Sequence, residues 1–135
     1  MKPKAIVFDL DWTLCELKPE SDRNNHTGNE EPIESIIYLA KSIMKIDNIK
    51  VLILTGRKEK YLHETIHWLV KQDIPAEIVM QTKSQADKNH VFKREQLKKM
   101  QEKYDILAVI DDNELVWDVC LELWILFLQV KTCKK

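Results

Sequence analysis

Glycine is nearly absent from this chain of 135 residues, which has only Gly28 and Gly56. A phosphate-cradling loop of the Gly-x-x-x-x-Gly-Lys-Ser/Thr kind cannot be built from them, so the nucleotide-binding core of a kinase is excluded. Cysteine is sparse as well. Cys15, Cys120 and Cys133 are odd in number and form no Cys-x-x-Cys pair, which argues against a disulfide scaffold and for a reducing compartment. Long apolar runs are missing. The stretch from Leu115 to Val130 is interrupted by Asp118, Glu122 and Gln129 before it reaches the roughly 20 residues a membrane span requires. There is no basic excess, the net charge being −1, so affinity for a polyanion would have to come from a local patch. Met1 to Lys4 run directly into an apolar stretch and leave no room for a signal peptide, so the expected location is cytoplasmic. What is there, 44% hydrophobic and 32% charged residues, suits one globular domain over 1–135.

The apolar pattern alternates between two periods. Strands are predicted near 4–10, 50–54, 76–80, 106–110 and 125–130, with helices near 33–46, 58–73, 90–103 and 113–123. Pro32 is placed to open the first helix, and Ile33, Ile36, Ile37, Ala40, Ile43 and Met44 then recur at helical spacing. The second helix is expected to bury Leu62, Ile66, Leu69 and Val70. Such alternation implies an α/β fold in three layers, a central parallel sheet of about five strands covered by helices on both faces. The polar segment from Glu16 to Glu31 is too short for a cap domain and reads as a flap beside an open site. Gln81 to Lys88 could line the same mouth.

Chemistry gathers where the strands end. Asp9 and Asp11 follow the apolar run Ala5-Ile6-Val7-Phe8, and in extended chain they would project to one side, where two close like charges favour a shared proton or a divalent cation. Hard oxygen ligands select magnesium. Val51 to Leu54 run into Thr55-Gly56-Arg57, which, if a helix opens there, presents a hydroxyl and free backbone N–H groups to an anion. Lys93 lies early in the third helix, and Leu107 to Ile110 end in Asp111-Asp112. Each group has a plainer reading: turn or cap carboxylates, a strand-end threonine, solvated helix charges. Their joint order is harder to explain that way. Lys83, Lys88, Lys93, Arg94, Lys98 and Lys99 could form a basic patch, or simply a solvated helix face.

With these residues in view, the chain resembles the haloacid dehalogenase (HAD) superfamily of phosphatases and phosphotransferases, whose four motifs are matched in order across residues 6 to 112. The resemblance implies a Rossmann-like sheet with the first strand central and no large cap domain. It implies Asp9 as nucleophile, Asp11 as general acid and base, and Thr55 and Lys93 as phosphate-stabilising catalytic groups. Magnesium would be held by Asp9, Asp11 through its backbone carbonyl, Asp111 and Asp112. Thr13, Gly56, Arg57 and Arg94 would contact the substrate. The stretches Ile53 to Arg57, Val91 to Glu95 and Val109 to Asn113, then Val116-Trp117 and Leu128-Gln129-Val130, are similar to the 3′-phosphatase domain of phage-type polynucleotide kinase/phosphatases. That likeness implies removal of a 3′-terminal phosphate from a nucleic-acid end, with no membrane and no obligate protein partner; a small-molecule phosphatase of the same superfamily is the alternative. The chain departs from the pattern at Trp12, where many members have glycine, at Asn113, where arginine is frequent, and at Trp124, where glycine normally ends the helix.

Two rivals carry less. His63-Glu64-Thr65-Ile66-His67 fits the zinc-hydrolase pattern His-Glu-x-x-His. With Leu62 and Ile66 turned inward, however, the histidines would sit on a flank, and no third ligand is evident downstream. A signalling receiver domain also gathers acids, Thr and Lys around magnesium, but its phosphorylated Asp follows a middle strand and its acidic pair the first, the reverse of the order here.

Overall fold

The computed structural model describes residues 1–17, 26–81 and 88–132. Its centre is a parallel five-stranded sheet of β1 (Lys4–Phe8), β4 (Ile49–Lys58), β5 (Glu77–Gln81), β6 (Asp105–Asp111) and β7 (Phe127–Gln129), in the order β5-β4-β1-β6-β7. β1 is flanked by β4 on one side and β6 on the other, so the chain reverses direction across the sheet at β1. In parallel α/β sheets the crevice at such a point, beyond the carboxyl ends of the strands, is where ligands bind. A short antiparallel pair, β2 (Cys15–Glu16) and β3 (Glu31–Pro32), closes the base of the polar segment expected to form a flap. Its residues 18–25 lie outside the described residues, as do most of Gln81 to Lys88 and Cys133.

Side chains alternate across each strand and fill two cores. Ala5, Val7, Leu52, Leu54 and Val109 pack against Phe92, Leu97 and Met100 of α3 (Asn89–Lys103) and Val116, Val119 and Cys120 of α4 (Glu114–Leu123). On the other face Phe8, Val51, Ile53 and Ile110 meet Ile37 and Ala40 of α1 (Glu34–Met44) and Trp68 and Leu69 of α2 (Leu62–Lys71). The scarcity of glycine is met by other residues: Trp12, Asn48, Asp73 and Trp124 adopt left-handed backbone, with φ of 62°, 70°, 62° and 60°. Trp124 thus ends α4 as a glycine would, its ring exposed to solvent.

Three local expectations are corrected. Pro32 does not open α1. It lies in β3 opposite Cys15, and Ile33 precedes the helix. α2 buries Thr65, Trp68 and Leu69, while Leu62, Ile66 and Val70 are exposed. The indole is the largest group on the helix to bury, and its Nε1 donates to the Glu30 carbonyl at 2.7 Å, so the helix turns to that side. Finally, β4 does not stop at Leu54. It continues through Thr55, Gly56 and Arg57 to Lys58 and pairs again with Gln81 after an irregularity.

Candidate active site

β1 ends at Phe8, and the chain turns at Leu10 before the next strand pair forms. Asp9 and Asp11 therefore do not share one extended face; they line the same cavity but engage different cations. The cavity, about 1030 Å³, lies at the carboxyl ends of β1, β4 and β6 and includes Thr55, Gly56, Arg57, Lys93, Asp111 and Asp112 in its walls.

The first cation is Lys93, the fifth residue of α3. Its Nζ donates to Asp9 Oδ1 at 2.9 Å and to Asp111 Oδ2 at 2.6 Å, and all three side chains are buried. Thr13 Oγ1 donates to Asp9 Oδ2 at 3.3 Å, so Thr13 steadies the nucleophile candidate and stands outside the cavity wall. Burial raises the Asp9 carboxyl to about 6 against the pull of Lys93. Burial and the neighbouring Asp9 raise Asp111 to about 6, and burial raises Asp112 as well. Lys93 is driven the other way: its two carboxylates outweigh its own desolvation and hold it protonated. One carboxylate oxygen each from Asp9, Asp111 and Asp112 lie within 4.8 Å of one another, a hard-oxygen set that fits magnesium. Asn113, not either aspartate, caps α4, its Oδ1 accepting from Leu115 N at 2.9 Å. Asp111 Oδ1 accepts from Asn113 N at 3.0 Å, which fixes that carboxylate at the edge of the cavity.

The second cation is Arg57. Its Nη2 donates to Asp11 Oδ1 at 2.6 Å, its Nε approaches both Asp11 oxygens at 3.2 Å, and Nη1 donates to Thr65 Oγ1 at 3.0 Å. Arg57, expected to contact substrate, lines the cavity, and its guanidinium is buried in a clamp on Asp11. Thr55 Oγ1 accepts from Arg57 N at 3.1 Å. Because β4 runs on, Thr55 and Gly56 stand on an irregular strand end and not at the start of a helix, so the helix-terminus reading of that loop is replaced. Gly56 is needed for space. A Cβ there would come within 2.6 Å of the Asn89 side chain.

Arg94 does not reach the cavity. It pairs with Glu122 of α4, Nε to Oε2 at 2.7 Å, and with Glu95. Lys93, counted in the basic patch, is buried; Lys88, Lys98 and Lys99 are exposed, and Lys83 lies outside the described residues. His63 and His67 sit on the exposed side of α2, and the acidic trio is the one metal-ligand group among the described residues. No described helix is long and apolar enough to cross a membrane.

The sequence reading missed four contributors to the Arg57 clamp: Glu30, His26, Thr65 and the link to Cys15. Glu30 Oε2 lies 3.4 Å from Arg57 Nη2 and 3.6 Å from His26 Nδ1, and both Glu30 and His26 are buried. Cys15 donates from Sγ to Asp11 Oδ1 at 3.5 Å. A polar segment without periodicity gives no sign of burial. The only hint was the four-residue spacing of His26 and Glu30.

Residues 3–134 match the family described as polynucleotide kinase PNKP phosphatase domain. No curated protein sequence matches. A chain in the structure of the Pnkp1/Rnl/Hen1 RNA repair complex superposes with a TM-score of 0.89 at 28% identity, over 99% of this chain and 44% of that one. A second structure of the Pnkp1/Rnl/Hen1 complex gives 0.87 at 28% identity, over 96% and 46%. This chain thus spans less than half the length of those relatives. The HAD domain of the effector Lem4 from Legionella pneumophila shares the fold alone, with a TM-score of 0.54 at 12% identity over 100% of this chain and 89% of that one.

Proposed function

This chain belongs to the family of polynucleotide kinase PNKP phosphatase domains, and from that premise we propose that it is a magnesium-dependent phosphomonoesterase that removes a 3′-terminal phosphate from a nucleic-acid end. The observation that carries the reading is the meeting of Asp9, Asp111 and Asp112 with Lys93 where the central strands end. Asp9, Asp111 and Asp112, with the Asp11 backbone carbonyl, would hold a magnesium ion, which supplies neutralisation of phosphate charge.

In this mechanism an Asp9 carboxylate oxygen attacks phosphorus in line. The bond to the leaving oxygen breaks, and an aspartyl-phosphate forms. Asp11 gives its proton to the departing alkoxide, then takes one from the water that attacks the phosphoenzyme, and the Asp9–phosphorus bond breaks to release phosphate. Lys93, the Thr55 hydroxyl and the Gly56 N–H offset charge on the transferring phosphoryl oxygens, the main electrostatic task of this chemistry. Thr13 fixes the orientation of Asp9. No second domain covers the cavity among the described residues, which favours an extended polymer end over a fully enclosed metabolite.

Likeness to a chain of an RNA repair complex supports an RNA end as the substrate. A panel of 3′-phosphorylated RNA and DNA oligonucleotides, nucleoside monophosphates, sugar phosphates and an aryl phosphate, assayed with and without magnesium, tests the reading. The expected result is magnesium-dependent hydrolysis with kcat/KM highest for a 3′-phosphorylated oligonucleotide. Equal hydrolysis of a sugar phosphate would make this a small-molecule phosphatase.

A further inference from the structure

The mechanism uses Asp11 but leaves unexplained why a charged residue is buried behind it. Glu30 is 3% exposed, and its neighbours are Arg57 at 3.4 Å and His26 at 3.6 Å, so its oxygens are held by charge more than by well-formed hydrogen bonds. A buried carboxylate in that condition is costly unless it serves another group. Three tethers put it there. Trp68 Nε1 donates to the Glu30 carbonyl, Lys71 Nζ donates to Asn29 Oδ1 at 3.3 Å, and Gly28, with φ of 84°, packs against the α2 backbone where a Cβ would stand 3.2 Å from the Glu64 carbonyl. The His26 ring adds an edge contact to Tyr61, with ring centroids 4.9 Å apart. Residues 26–31 are thereby docked on α2 with the Glu30 carboxylate facing the guanidinium.

We infer that Glu30 is a positioning residue for the general acid, acting through Arg57. The guanidinium is planar and presents its donors in a fixed fork. Asp11 occupies the Nε and Nη2 edge, Thr65 the Nη1 position, and Glu30 approaches Nη2 from behind. With both flanks fixed, the plane of the fork is set, and with it the direction of the Asp11 carboxyl toward the leaving oxygen. Residues 26–31, docked on α2, therefore also orient the proton donor. This rests on the phosphatase reading above.

The test separates a step that needs the proton from one that does not. A 3′-phosphorylated oligonucleotide leaves as an alkoxide and needs protonation; p-nitrophenyl phosphate leaves as a stable phenolate and does not. Glu30→Gln should lower kcat for the oligonucleotide about 10- to 100-fold, part of the 10²–10⁴ that general acid–base catalysis supplies, with KM unchanged. The first burst of nitrophenolate should stay within about twofold of wild type, while the steady state slows and phosphoenzyme accumulates, because its hydrolysis needs Asp11 as base. Glu30→Asp should restore part of the loss. Thr65→Val, which keeps side-chain volume, should give the same pattern at about 3- to 10-fold and carries the test if Glu30→Gln does not fold. Equal slowing of the burst and of oligonucleotide turnover, or no slowing of either, overturns the inference. Failure of the polynucleotide reading would show separately, in wild-type enzyme that prefers no oligonucleotide; glycerol 3-phosphate then replaces it as the alkoxide substrate.

Discussion

Two buried cations face each other across one cavity, each between two carboxylates, and they do opposite things. Lys93 comes from a helix and bridges Asp9 and Asp111, whose carboxyls burial nevertheless raises to about 6. Arg57 comes from a strand and lies between Asp11 and Glu30. There burial again acts to raise Glu30, but His26 and Arg57 outweigh it and hold that carboxyl down at about 2. The lysine set is electrostatically uneasy, suited to a nucleophile that welcomes a phosphoryl group and a metal. The arginine set is braced by Asp11, Thr65 and Glu30 around one guanidinium, suited to holding direction. Proteins place strain where chemistry is done and support beside it.

The comparison should break most completely at Asp9, the proposed nucleophile. Asp9→Asn should abolish phosphate release and leave no acid-trapped phosphoenzyme; wild-type rates in that variant would sink the assignment. Asp11→Asn should cost about 10²–10⁴ in kcat for an oligonucleotide. Lys93→Ala should cost about 10²–10³ for oligonucleotide and aryl phosphate alike, since charge on the phosphoryl oxygens develops with either leaving group. Lys93→Arg should not restore it, because a planar fork cannot stand in for a compact ammonium between two carboxylates. A leaving-group-dependent loss in Lys93→Ala would erase the distinction between the two cations.

A gentler perturbation concerns stability. Asp9 and Asp111 titrate near 6 in the fold against an ordinary 3.8, so the folded state binds more protons across that interval. Their stabilising contribution is complete below about 4 and is lost as pH rises through about 6. Asp111→Asn should therefore raise the Tm of EDTA-treated protein at pH 7 by roughly 5 °C, the scale of about 1 kcal/mol in a chain of this size. It should also blunt the Tm increase that magnesium gives wild type. A lower Tm in Asp111→Asn would mean that the Lys93 pair outweighs desolvation. The smallest effect is expected at the decoy. His63→Ala with His67→Ala should leave activity within about twofold, since both side chains lie on the exposed side of α2. Zinc bound stoichiometrically, and lost together with activity in that double variant, would contradict it.

The carboxylates of the lysine set were legible in the sequence because Asp9 and the Asp111-Asp112 pair stand at the ends of apolar strands that the sheet order makes neighbours, while Lys93 was placed by its position early in α3. The arginine set was not. Arg57 was placed between a strand ending at 54 and a helix opening near 58, because Thr-Gly breaks the apolar run, whereas tertiary pairing of Lys58 with Gln81 carries the strand on. The face of α2 was misjudged because Leu62, Ile66 and Val70 make a regular stripe. The pattern could not reveal that a carbonyl from the distant residue Glu30 would satisfy Trp68 and turn the helix the other way.

The packing of Gly56 against Asn89 has a consequence for how this sequence can change over evolutionary time. A Cβ at position 56 would stand 2.6 Å from the Asn89 side chain, so a substitution there requires that side chain to move or to be replaced. A lineage that first exchanged Asn89 for a smaller residue could later replace Gly56 at no steric cost; one that began at position 56 would first have to displace the Asn89 side chain. The order of mutation, and not only its identity, would decide how easily this strand end can change.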